Sequence, residues 1–108
     1  MNNSLTYPET LEDELSFILG QPNFACGPLA QVLRDNGRDI PTKAEKEQAV
    51  VIDWHLRLYL KHGAKWRDAF AEELRPMLEV SRVAAAKRAE ERAKRYAALP
   101  ALSDEVAP

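Results

Sequence analysis

The chain has one cysteine, Cys26, so an intramolecular disulfide is excluded, and a lone thiol fits a reducing cytoplasm. No apolar run approaches the roughly 18–20 residues a membrane span needs. The opening stretch, MNNSLTYPETLEDE, lacks the basic and apolar regions of a secretory signal. A net charge of −2 supplies no global pull towards nucleic acid or anionic membrane. Walker, GxGxxG, GxSxG and paired-cysteine zinc motifs are all missing. At 108 residues, there is room for one domain at most. These absences lead to the expectation of a cytoplasmic, non-enzymatic protein with no catalytic residue, no cofactor and no metal site.

What is present is helical. The richest segment is Lys43–His62, apolar around most of its circumference at about 100° per residue. Only Lys46, Asp53, Arg57 and Lys61 make a continuous charged strip. Such a helix must be wrapped by others. Thr42 and Glu45 stand at capping-box spacing before it, and Gly63 marks its end. Upstream, Thr6 with Glu9 and Pro8 predicts a first helix carrying Leu11, Leu15 and Ile18 and ending at Gly20. A second runs to about Asn36 with Gly37 as its cap, starting either at Asn23 or at Gly27-Pro28. A fourth begins near Ala64 with Trp66, Ala69, Phe70 and Leu74 as its stripe, until Pro76 kinks or ends it. A last, alanine-rich helix spans about Met77 to Ala98. The fold expectation is all-α: a small bundle of about four to five helices around the central apolar one, with an extended charged C-terminal helix. Residues 1–78 form the globular part; residues 79–108 form the charged helix and an acidic tail.

The last helix carries the main candidate surface. Its apolar stripe is small (Val83, Ala86, Ala89, Ala93, Tyr96 and Ala97), so it should dock weakly on its own core. The pairs Glu90–Lys94 and Glu91–Arg95 each add about 0.2–0.5 kcal/mol to the helix. Arg88, Arg92 and Arg95 share one face, and Tyr96 is the one residue near them able to stack. That pattern suits a protein partner or a second copy of the chain; its alternative is a phosphate-binding row on nucleic acid. The central helix is too apolar for a recognition helix, which needs exposed polar side chains in its groove.

A second candidate lies on the central helix, where Gln48, His55, Tyr59 and His62 fall in a row amid apolar neighbours. Polar tips there form either a buried hydrogen-bonded network or an open groove in which His55 and Tyr59 meet a ligand or partner. His55 and His62 are seven residues apart, roughly 10 Å along the axis, too far to share one metal ion. Cys26 is near a helix start, where a thiolate would be stabilised, but a lone cysteine is more often a small core residue.

The segment Phe17–Leu74 resembles a group of small phage- and prophage-encoded proteins of Gram-negative bacteria. The resemblance is carried by the F-I-L-G-x-P-N-F-x-C run, L-R-x-x-G, K-A-E-x-E-Q-A, L-Y-L-x-H-G and the following W-R. That group has no assigned catalytic or binding residues, so the likeness implies a context and no mechanism. Small phage accessory proteins act by binding and blocking host machinery. The implied function is protein–protein binding in a bacterial cytoplasm, with inhibition of a defence complex, as by an anti-CRISPR, as its sharpest version.

Overall fold

The computed structural model describes residues 6–100 and is helical, with no strand among them. A short α1 (Asp13–Leu19) leads to α2 (Asn23–Asp35), α3 (Ala44–His62) and α4 (Trp66–Ala97), with one 3-10 turn (Gly63–Lys65) between the last two. The expected four to five helices reduce to three long ones and the two-turn α1. The expected fourth and fifth are a single 32-residue helix. The acidic tail beyond Pro100 lies outside the described residues.

Pro76 sits inside α4 without ending it. Its missing N–H deprives only the Glu72 carbonyl, and both residues are exposed, so water can supply that bond. Pro28 is tolerated in α2 for the same reason, since it deprives the carbonyl of Phe24, which is 82 % exposed. The helix therefore starts at Asn23, after Pro22, and not at Gly27-Pro28. It ends in a Schellman motif: Arg38 N–H donates to Leu33 O and Gly37 N–H to Arg34 O, with Gly37 at φ 102°.

Neither expected capping box forms. Residues 6–12 are not helical, and α1 starts at Asp13, where Asp13 and Glu14 favour the positive end of the helix. Leu11, 67 % exposed, has nothing to pack on, so no burial extends the helix back to Thr6. Lys43, not Thr42, precedes α3, with no side-chain cap. Gly63 does stop α3, at φ 61°, its N–H donating to Tyr59 O.

The central helix is wrapped as expected, against α1, α2 and α4. It separates two buried clusters. One gathers Leu15 and Ile18 of α1, Leu58 and Tyr59 of α3 and Trp66 of α4. The other gathers Cys26, Ala30 and Leu33 of α2 with Ile40 and Val51. The Trp66 indole N–H is satisfied by Glu14 at 2.6 Å, which holds that carboxyl below the usual carboxylate range. Arg34 fixes the α2–α3 connection, donating to the carbonyls of Ile40 and Pro41 and pairing with Glu47 at 2.6 Å.

Only the first half of α4 belongs to this core. From Ala85 to Ala97 every residue is exposed, and the molecule measures 70 × 28 × 20 Å. The expected boundary at 78/79 thus falls inside one continuous helix.

Candidate partner-binding surface

The outer half of α4 is braced where it leaves the core. Asp35, at the end of α2, accepts from Arg88 Nη1 at 2.8 Å and from Ser81 Oγ at 2.5 Å, and Gln31 adds a third bond at 3.0 Å. The Asp35 side chain is only 4 % exposed. Arg88, then Ser81 and Gln31, hold its carboxyl down at about 2. Arg88 is therefore withdrawn from the expected row of three arginines: it serves the fold, and Arg92 and Arg95 remain on the exposed helix.

Beyond that brace, Ala89, Arg92, Ala93, Arg95, Tyr96 and Leu99 line one shallow surface. Tyr96 is 79 % exposed and Leu99 58 %. The small alanines leave Tyr96 and Leu99 standing above the helix, flanked by two guanidinium groups. Neither Glu90–Lys94 nor Glu91–Arg95 closes into an ion pair among the described residues; the pairs on this stretch are Arg82–Glu79 and Arg88–Asp35.

The second candidate face is largely covered. His55 and Tyr59 are buried, 3 % and 7 % exposed, because α1 and the start of α4 close over that side of α3. His62 is exposed at the helix end. Both inner polar members of the row converge on Gln21: Gln48 Nε2 donates to its carbonyl at 2.8 Å, and its side-chain amide meets His55 Nδ1 at 2.9 Å. With the Cys26 thiol donating to Gln21 Oε1 at 3.8 Å, the amide nitrogen faces Nδ1, which places the imidazole proton on Nε2. Burial, then Arg67, brings the His55 pKa down to about 4, so the ring is neutral near pH 7. Its Nε2 is buried without a partner, a cost of about 1–3 kcal/mol.

Cys26 is fully buried and burial pushes its thiol up, which disfavours the thiolate. Among the described residues, no group of three or more His, Cys, Asp or Glu is placed to hold a metal ion, and no helix is long and apolar enough to cross a membrane.

Sequence reasoning missed Gln21 and Asp35. Gln21 carries no local signal, since it is one polar residue in a turn. Asp35 does carry one: an acidic group at the negative end of a helix is unfavourable unless something pairs it. Comparison with protein-family models, curated proteins and solved structures finds no match.

Proposed function

We propose that the chain is a non-enzymatic binding protein that engages an acidic protein surface through the outer half of α4. The observation that carries this reading is a helix braced against Asp35 through Arg88 and then exposed at every residue from Ala89 to Ala97. An isolated helical stretch of that length is marginal in water, so its persistence depends on the brace. Tyr96 supplies a large amphipathic contact and Arg92 and Arg95 supply the charge, the residue types that dominate binding energy at interfaces. Lys87, Arg92, Lys94 and Arg95 outnumber Glu90 and Glu91, so a second copy would bring like charge against like. That balance favours an acidic partner over self-association.

Phage origin, a bacterial cytoplasm and inhibition of a host defence complex form the narrower version of this reading. It rests on the Phe17–Leu74 resemblance alone. The test is affinity capture from bacterial lysate, with the wild-type chain beside an Arg92→Glu/Tyr96→Ala variant of unchanged circular dichroism. A protein retained by the wild type and lost by the variant supports the reading. Equal retention by both overturns it. Material released by nuclease, with steep salt dependence, would instead establish the rival reading of a nucleic-acid-associated regulator.

A further inference from the structure

A cavity of about 330 Å³ opens where α1, α2, α3 and the start of α4 meet, apart from the outer half of α4. Phe17, Leu29, Trp66 and Phe70 give it apolar walls, and His55 and Arg67 are among its polar lining. The volume is at the small end of ligand pockets, enough for one ring with a short substituent. The aromatic walls are already set around His55, whose ring centroid is 4.4 Å from Phe70, edge to face, and 5.1 Å from Trp66, tilted at 45°.

Two donors in this lining are incompletely used. His55 is 3 % exposed, and its Nε2 is unpartnered. Arg67 bonds Glu14 through Nε alone, at 3.2 Å, while its guanidinium carbon sits 4.6 Å over the Phe17 ring and 4.9 Å over Trp66. Its terminal nitrogens have no protein partner among the described residues.

We propose that this cavity binds a small monocarboxylate with an apolar, ring-sized body. The body packs against Phe17, Trp66 and Phe70, and the carboxylate takes the terminal N–H groups of Arg67 and, once a turn of the closed-in ring brings it to the cavity surface, the Nε2–H of His55. An amine would meet a cation and a second donor, with no anion in the lining to receive it. A dianion would carry a larger desolvation penalty into walls this apolar, with a single arginine to offset it. A monocarboxylate matches both donors, sharing the half-exposed Arg67 with Glu14, which occupies only its Nε.

The full-length chain is titrated with phenylacetate and with its neutral amide, phenylacetamide, by calorimetry and by the ¹⁵N resonance of His55 Nε2. Phenylacetate is expected to bind saturably, move that resonance, and bind about tenfold more tightly than the amide, the size of one charge-assisted hydrogen bond. Arg67→Met keeps the apolar stem of an exposed residue and should narrow that preference to less than about twofold, with unchanged circular dichroism. No saturable binding at millimolar phenylacetate overturns the proposal. So does binding that leaves His55 Nε2 unmoved, or a preference that survives in Arg67→Met. A failure here leaves the α4 reading standing, because the two surfaces share no residue.

Discussion

Asp35 and Arg88, 53 residues apart, meet at 2.8 Å, and this contact sets where α4 leaves the body of the protein. The carboxylate is nearly buried while the guanidinium is 45 % exposed, so one partner is committed and the other is half in water. Replacing Asp35 by Ala strands Ser81, Gln31 and Arg88 together. The expected loss is about 1–3 kcal/mol in urea denaturation. Hydrogen exchange beyond Ser81 should accelerate. The Asp35 carboxyl is held at about 2 against an ordinary 3.8. Its contribution is therefore complete above about pH 4 and lost as pH falls towards 2. Exchange rates that match the wild type would refute the brace.

Truncation separates brace from surface. Removing residues 90–108 keeps Ser81 and Arg88, so the unfolding free energy in urea should change by less than about 0.5 kcal/mol. Removing 83–108 deletes Arg88 as well and should cost a further 1 kcal/mol or so, leaving a folded remainder. Equal stability of the two truncated chains would show that Arg88 contributes nothing.

The imidazole of His55 predicts a second, separate pH dependence. Its folded pKa is about 4, below the 6.5 of an open histidine. Between those values the unfolded chain takes up a proton that the folded chain refuses. Stability should therefore fall as pH drops from 6.5 towards 4, by roughly 2–4 kcal/mol in total, and then level for this group. An NMR titration of the ring checks the cause, and a midpoint near 6.5 would contradict its burial.

Leu58 is 5 % exposed and packs with Leu15, Ile18 and Trp66. Leu58→Ala should cost about 2–5 kcal/mol, a large share of a small domain's stability. An unchanged denaturation midpoint would displace α3 from the centre of the fold.

The helical class was legible because the periodicity of Lys43–His62 leaves no alternative to a wrapped helix, and Leu58 and Trp66 are buried as that pattern requires. Trp54, on the same helix as Leu58, is only half-buried and sends its indole N–H to Glu73 at 3.0 Å. The boundaries were less legible. Capping-box spacing at Thr6 and Thr42 is a local preference of about 1 kcal/mol, and burial a few residues further on outweighs it. Pro76 read as a break because its effect depends on whether Glu72 can reach water, which only the packing decides. The surface at Arg92, Arg95 and Tyr96 was visible as composition. The burial of His55 and Tyr59 was not, because a polar row flanked by leucines looks the same whether another helix covers it or not. The Arg88–Asp35 contact is a tertiary pairing with no periodic trace.

The unbroken passage of α4 through Pro76 also has a mechanical meaning. From the buried Trp66 to Ala97 the helix runs about 46 Å, and it is gripped only in its first two-thirds. It is a lever with its long end in the core and its short end free. A tilt of a few degrees about the Asp35 contact would sweep Tyr96 sideways by an ångström or so. About that pivot the inner arm to Trp66 is roughly 33 Å and the outer arm to Tyr96 roughly 12 Å, so a shift in how Trp66 and Phe70 pack reaches the tip reduced to about a third. Whatever meets the tip therefore pulls, through one stiff element, on the packing around His55.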